Sequence, residues 1–185
     1  AIVRNSWRGA RLKLVNADFG AEGSAMEISR CRELAASAGL SDVIDWHTEF
    51  LPDERSLDLL SSCDLIVVPT QASHESASGA ARMALAAGPP VLVTHLPLFD
   101  DLEQSALRAD DCTADALAQS INRLLTDREL RETLRRASSE FTARHGWDVI
   151  GKTFASMLTG LARTHYYASR GSYDERHYHP PPVNT

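Results

Sequence analysis

Residues 64–94 constrain the fold more than any other part of the chain. Their sequence is DLIVVPTQASHESASGAARMALAAGPPVLVT. The apolar runs at residues 64–68 and 90–93 lack polar alternation, which is typical of parallel strands covered on both faces. Between them, a small polar loop leads into an alanine-rich segment that ends at Gly88, and this predicts a helix that begins near Glu75. We therefore expect two buried parallel strands joined by a helix.

The preceding chain shows the same alternation. Residues 11–16 and 43–48 predict two further strands, and residues 22–38 and 52–62 predict helices, the second with Asp53 as its N-cap. The order β-α-β-α-β-α-β with short connections predicts an α/β fold. We expect a Rossmann-like, doubly wound parallel sheet with right-handed crossovers and helices on both faces.

Beyond Leu102 the strand pattern fades and C-terminal helices follow. They are predicted at residues 113–126, 127–146 and 147–162. We expect Thr113 to cap the first of these helices and Trp147 to lie in the core. Residues 164–185 are rich in Tyr, His, Pro and charged residues, which predicts a disordered tail after a single domain at residues 1–163.

Composition excludes several classes of protein. The net charge of -6 argues against nucleic acid as a partner. Cys31, Cys63 and Cys112 are scattered, which favours reduced thiols and a cytoplasmic protein, with attachment to the inner membrane face as a variant of that location. No apolar run approaches the ~20 residues of a membrane span, so no transmembrane segment is predicted.

The loop before the predicted central helix has the composition of a phosphate and sugar site. It lies at the carboxyl end of a strand, where open α/β sheets bind ligands. Ser76, Ala77, Ser78 and Gly79 are small enough to let a phosphate approach the helix N-terminus. The Glu75 carboxylate would repel phosphate but suits a hydroxyl-rich ligand, so the combination suggests a nucleotide-sugar. Glu75 and Ser76 would equally serve as helix-capping residues, and the residues alone leave both interpretations open.

The segment SHESASGAARMALAAGPPVLVT resembles the donor-binding signature of the family 4 retaining glycosyltransferases, which have the GT-B fold. That signature is a Glu, seven residues, and then Glu-Ala-x-Ala-x-Gly-x-Pro-Val. Glu75 matches the first Glu. The end of the signature is matched by Ala84, Ala86, Gly88, Pro90 and Val91. The run FLPDERSLDLLSSCDLIVVP and the helix around Trp147 are similar to the family as well, so the resemblance covers residues 11–162.

The resemblance implies that this chain is the C-terminal, donor-binding half of a GT-B enzyme. Glu75 would be the catalytic residue, holding hydroxyls of the donor sugar, and the main chain of residues 47–51 would meet the nucleobase. The other donor-binding residues would be His74, Ser76, Ala77, Ser78, Gly79 and Arg82. Transfer would proceed with retention, with a nucleotide-sugar as substrate and no essential metal or other cofactor.

Two departures from the family qualify this expectation. Met83 stands where relatives carry a second Glu that grips the ribose, and the neighbouring Arg82 points about 100° away on a helix. Relatives also place an Arg and a Lys for the diphosphate upstream of the first strand, and no such motif occurs before residue 14. Because the chain begins at Ala1 in what resembles a helix end, we expect a fragment that lacks a first strand and the acceptor domain and that is inactive alone.

Other residues predicted at the carboxyl-end edge of the sheet have two alternative roles each. Asp100 and Asp101 would either touch sugar or acceptor or cap a turn, and His74 and His95 would either bind the donor or be solvated. His47 is expected to be partly buried. The function predicted is sugar transfer to an unknown acceptor in cell-surface polysaccharide or glycoconjugate synthesis. The alternatives are a non-catalytic, degenerate GT-B domain serving assembly and a sugar-nucleotide epimerase of the same fold.

Overall fold

The structure, a computed structural model, describes residues 1–71 and 74–169. The chain divides into two compact units, with the boundary between residues 143 and 144. The strands are β1 (Leu12–Val15), β2 (Ile44–His47), β3 (Ile66–Val68), β4 (Val91–Val93) and β5 (Leu107–Arg108). The α-helices are α1 (Ile2–Ser6), α2 (Glu22–Ser37), α3 (Asp53–Ser61), α4 (Gly79–Ala87), α5 (Ala114–Thr126), α6 (Arg128–Arg144) and α7 (Trp147–Ser169). Two 3-10 helices, Ser41–Val43 and Pro97–Leu102, complete the described elements.

The strands form two parallel sheets. In one sheet β1 pairs with β2, with Leu12 opposite Ile44. In the other, β4 lies between β3 and β5, with Ile66 opposite Val91. All four predicted strands exist, each somewhat shorter than predicted, and helices alternate with them. The α/β class with parallel strands is therefore confirmed, although the strands are divided between two sheets.

The core is built around β4. Its three residues are at most 1% exposed, as the apolar run without polar alternation predicts. Because side chains alternate along a strand, Val91 and Val93 face one apolar cluster and Leu92 faces another. The first cluster joins β4 to α4 and Phe99, and the second joins it to α5 and α6.

Small residues bring α4 close to this sheet. Ala81, Ala84 and Leu85 are buried in the first cluster, so the face of α4 toward β4 is mostly alanine. Gly88 ends the helix with φ of +100°, a left-handed conformation that costs other residues steric strain. The predicted glycine stop is thus confirmed, and it leads directly into β4.

Of the two predicted helix N-caps, Thr113 is confirmed and Asp53 is not. Thr113 caps α5 as predicted, because its hydroxyl accepts a hydrogen bond from the Ala116 N–H at 3.3 Å. The prediction that Asp53 caps α3 is wrong. Pro52 occupies the N-cap position and Asp53 is the first helical residue, where its charge still favours the helix dipole.

Helix α2 is less buried than its periodicity predicts. Ile28, Cys31, Leu34, Ala35 and Ala38 recur at helical spacing, which predicts one apolar face. Only Ala35 of these residues is buried, while Ile28 and Cys31 are half-buried and Leu34 and Ala38 are exposed. Helix α2 contacts the two-stranded sheet through the Arg32 guanidinium, which lies 5.4 Å from the centre of the Trp46 ring. A sheet of two strands offers little apolar surface to a helix of this length, which accounts for the exposed face.

The second unit is described as a single helix, α7. The prediction that Trp147 lies in the core is wrong, because its side chain is 88% exposed. The described part of this unit has no second element to cover the helix, so its apolar residues stay exposed. Helix α7 continues past its predicted end at residue 162 to Ser169, and residues 170–185 of the predicted tail lie outside the described residues. No described helix is long and apolar enough to cross a bilayer.

Candidate functional site

The candidate site lies beyond the carboxyl ends of β3 and β4. The loop after β3 is tied to the end of β4, because the buried Thr94 hydroxyl donates to the Thr70 carbonyl at 2.6 Å. The Cys112 thiol donates to the same carbonyl at 3.8 Å. These two contacts hold the chain at Thr70, after the end of β3.

Residues 74–79 connect this loop to α4. All of them are exposed except Ser78, which is buried. The helix begins at Gly79, so the prediction that it begins near Glu75 is wrong. Ser78 is the reason, because its extended backbone and its hydroxyl, which accepts from the Ala81 N–H at 3.2 Å, form a strong N-cap. Glu75, Ser76 and Ala77 therefore lie in an exposed bend before the helix.

The first turn of α4 offers donors to a ligand. Gly79 and Ala80 are exposed, and N–H groups in a first helical turn have no intrahelical acceptor. No atom lies within 4 Å of the position that a Cβ on Gly79 would occupy, so a ligand can approach the backbone there. The dipole of α4 adds a partial positive charge at this end.

Arg82, one turn into α4, is engaged by a neighbour. One of its terminal nitrogens forms an ion pair with Asp101, on the 3-10 helix Pro97–Leu102 after β4. Its Nη1 atom is buried and has no hydrogen-bond partner among the residues described. Contact between Arg82 and a donor stays a prediction, and any such contact would involve a guanidinium already held at Asp101.

Asp100 is held in a similar way. Its Oδ1 accepts from Arg108 Nη1 at 2.7 Å, and Arg108 Nη2 donates to the Phe99 carbonyl at 2.8 Å. Both aspartates thus bind arginines, and within the described part of the chain neither side chain has a hydrogen bond to a following turn. The sequence singled out the aspartates but not these partners, because the partners lie on other elements and no spacing pattern connects them.

Met83 and the histidines singled out in the sequence lie at the following positions in the structure. The Met83 side chain is half-buried on α4, so a thioether occupies the position where the family signature has its second carboxylate. His74 and His95 are both exposed beyond the three-stranded sheet. His47 ends β2, is partly buried as expected, and has Nδ1 3.9 Å from the Glu49 carboxylate. Within the described ranges, no three His, Cys, Asp or Glu side chains are grouped as metal ligands would be.

Comparison with known proteins places the site within a matched region. A family model described as "Glycosyl transferases group 1" matches residues 12–141, which include the site. The chain is 26% identical over 149 residues to the D-inositol 3-phosphate glycosyltransferase of Corynebacterium urealyticum, covering 77% of this chain and 34% of the relative.

Solved structures share the fold. The sucrose-phosphate synthase of Thermosynechococcus elongatus matches with a TM-score of 0.72 at 22% identity, covering 88% of this chain and 41% of that one. Anabaena HepE in complex with UDP matches with a TM-score of 0.71 at 17% identity, covering 86% and 44%. The chain therefore spans less than half the length of these relatives.

Proposed function

The chain belongs to the group 1 glycosyl transferases, and on that premise we propose that it is the donor-binding part of a retaining, family 4 glycosyltransferase with the GT-B fold. Its ligand is a nucleotide-sugar. The observation that carries the proposal is the segment of residues 74–79, exposed except for Ser78, which lies between the carboxyl end of β3 and the N-terminus of α4.

The diphosphate binds at the first turn of α4. The exposed N–H groups of Gly79 and Ala80 point out of the helix end, where the dipole favours an anion. Ser78 leaves these two donors available because its hydroxyl engages Ala81 instead. Ser76 and Ala77, in the bend before the helix, contribute backbone amides on the other side of the phosphates.

The sugar binds next to Glu75. Its exposed carboxylate precedes the helix start by four positions and can accept hydrogen bonds from two neighbouring hydroxyls. A carboxylate at this position disfavours a phosphate and favours a neutral polyol, so it determines the orientation in which the donor binds. The diphosphate lies toward Gly79 and the sugar toward Glu75.

Structures of a similar protein support the choice of a nucleotide-sugar as the ligand. Anabaena HepE is recorded with UDP, with UDP and glucose, and with UDP-glucose. For this chain we propose a UDP-, GDP- or TDP-sugar bound without an essential metal. Because the chain spans less than half of its relatives, the acceptor site belongs to a further domain, and the assembled cytoplasmic enzyme acts in cell-surface polysaccharide or glycoconjugate synthesis.

A backbone-amide NMR titration with UDP-glucose tests this proposal. At millimolar ligand we expect chemical-shift changes in residues 74–80 and in the α4 first turn, and none in the solvent-exposed positions of α6. UDP and glucose 1-phosphate, titrated separately, should perturb subsets of the same signals. If no nucleotide moves the signals of residues 74–80, the site does not bind donors in this chain.

Met83 favours a second candidate, a degenerate domain of this fold that serves assembly. The variant Met83→Glu discriminates between the two functions, because it supplies a carboxylate at the half-buried position on α4. In a working donor site we expect UDP to bind about 2- to 10-fold more tightly, the gain of a net hydrogen bond to a ribose hydroxyl. The control is Ala86→Glu on an exposed position of the same helix, which should leave affinity unchanged. A degenerate site would gain nothing from either variant.

A further inference from the structure

Arg82 is the only Lys or Arg among residues 56–107 of the sequence. That range contains β3, α4, β4 and the 3-10 helix Pro97–Leu102, and with them residues 74–79 of the candidate site. A diphosphate at the N-terminus of α4 would meet only about half a positive unit charge from the helix dipole. Arg82 thus carries the one permanent positive side-chain charge that this part of the sequence can bring to a diphosphate.

The position of Arg82 on α4 favours contact with a ligand at the helix end. Gly79 precedes Arg82 by three positions, so both lie on the same side of α4, about 4.5 Å apart along the helix axis. Side chains on an α-helix lean toward its N-terminus, which directs Arg82 over the first turn. Gly79 has no side chain, and no described atom lies within 4 Å of the position that its Cβ would occupy. The space beside the first turn is therefore open to the guanidinium.

Asp101 is the ion-pair partner of Arg82. It lies on the 3-10 helix that follows β4, whose carboxyl end is at the same sheet edge as that of β3. One terminal nitrogen of Arg82 contacts the Asp101 carboxylate, whereas Nη1 is buried without a hydrogen-bond partner among the residues described. Buried polar atoms without a partner are rare in folded proteins. The contact with Asp101 therefore leaves the guanidinium incompletely hydrogen-bonded.

The exposure of this ion pair allows it to exchange. The side chains of Arg82 and Asp101 are 40% and 39% exposed, and ion pairs that water reaches in this way are weak. A phosphate group, by contrast, can accept hydrogen bonds from both terminal nitrogens of an arginine in parallel. A diphosphate at the first turn of α4 is thus a stronger partner for Arg82 than Asp101 is.

We infer that Asp101 competes with the donor diphosphate for Arg82 and thereby limits how tightly this chain binds a nucleoside diphosphate. This inference rests on the proposed function, in which the diphosphate binds at α4. When the diphosphate binds, the guanidinium leaves the Asp101 carboxylate and pairs with the phosphates, and when it departs, Asp101 takes the guanidinium back. Asp101 is accordingly a positioning residue that acts through Arg82, and it needs no contact with sugar or acceptor.

Calorimetric titration of the whole chain with UDP and with inorganic pyrophosphate tests the inference. Asp101→Asn removes the competing charge and should strengthen the binding of both ligands about 2- to 5-fold, the equivalent of an exposed ion pair. Arg82→Met removes the cation and should weaken both about tenfold. In the Arg82→Met background, Asp101→Asn should lose most of its effect, because the two residues act as one pair. Asp101→Glu keeps the ion pair and should keep the original affinities.

The matched control is Asp100→Asn, on the same 3-10 helix. It changes the net charge by the same amount, but its carboxylate pairs with Arg108, with 2.7 Å between Oδ1 and Nη1. We expect it to change neither affinity. Circular dichroism verifies that each variant is folded.

The outcomes separate this inference from the proposed function. If both ligands bind but Asp101→Asn leaves their affinities unchanged or lowers them, the competition is overturned and the phosphate site stands. The same conclusion follows if Asp101→Asn gains as much in the Arg82→Met background, or if Asp100→Asn gains as much, because Asp101 would then act only as a negative charge. If the unmodified chain binds neither UDP nor pyrophosphate, the proposed phosphate site falls and this inference falls with it.

Discussion

Replacing Phe99 with alanine lowers the free energy of unfolding by about 3–5 kcal/mol. Phe99 is fully buried, and it belongs to the apolar cluster that joins β4, α4 and α6. Removing its ring deletes apolar contacts and leaves a cavity that a close-packed core cannot fully collapse. Urea unfolding measures the loss as a lower midpoint with an unchanged slope.

Two variants keep this prediction testable if Phe99→Ala does not fold. Phe99→Leu retains most of the apolar volume and should cost less than about 2 kcal/mol. Phe50→Ala removes the same ring from an 81% exposed position and should change stability by less than about 0.5 kcal/mol. Equal losses at the two positions would contradict the core assignment.

Replacing Glu75 with alanine removes the preference of the chain for a sugar nucleotide over the bare nucleotide. We expect the affinity for UDP-glucose to fall about 10- to 150-fold, toward that of UDP, because hydrogen bonds to a charged acceptor contribute about 1.5–3 kcal/mol. The affinity for UDP itself should stay the same or rise slightly, since a carboxylate near the phosphates is removed. Parallel titrations of the two ligands measure the difference.

The matched control is Glu140→Ala, an exposed glutamate on α6. It changes the net charge by the same amount but lies outside the proposed site, so both affinities should be unchanged. A loss of affinity for UDP as large as that for UDP-glucose would place Glu75 at the nucleotide and contradict its assignment to the sugar.

Local chemistry made much of the fold predictable. The uninterrupted apolar run at β4 predicts a strand with two covered faces, and Val91 and Leu92 bury on opposite sides of it. Gly88 and Thr113 mark helix boundaries through a left-handed backbone and a side-chain cap, which depend on neighbours in the sequence alone. Such features can be predicted because they depend on residues that are close together in the sequence.

Features that depend on distant partners were not predictable. The two residues of β5 are too few to show a period, and they are a strand only because β4 lies beside them. The Arg82–Asp101 ion pair joins two elements, and no pattern in the sequence indicates that these two side chains meet. The apolar periodicity of α2 and α7 indicates a helix face correctly but cannot reveal how much surface is available to cover it.

The candidate site, like the fold, could be predicted from the sequence only in part. The sequence indicated residues 74–79 through their composition and their place after a strand, and the structure puts them before and at the first turn of α4, all exposed except Ser78. Their roles toward a donor stay predictions. The sequence predicts a helix start near Glu75 because Glu75 and Ser78 are both acceptable N-terminal residues, and only the hydrogen bond from the Ala81 N–H to Ser78 decides between them.

The division of the strands into two sheets has a consequence for the behaviour of the chain in concentrated solution. Two sheets have four outer strands, which are β1, β2, β3 and β5 among the described residues, and an unpaired edge can add a strand from another molecule. Charged residues oppose such pairing, and β1, β2 and β5 each contain one, namely Lys13, Asp45 and Arg108. Strand β3 is Ile-Val-Val and contains none. Self-association of the chain should therefore start at the edge of β3.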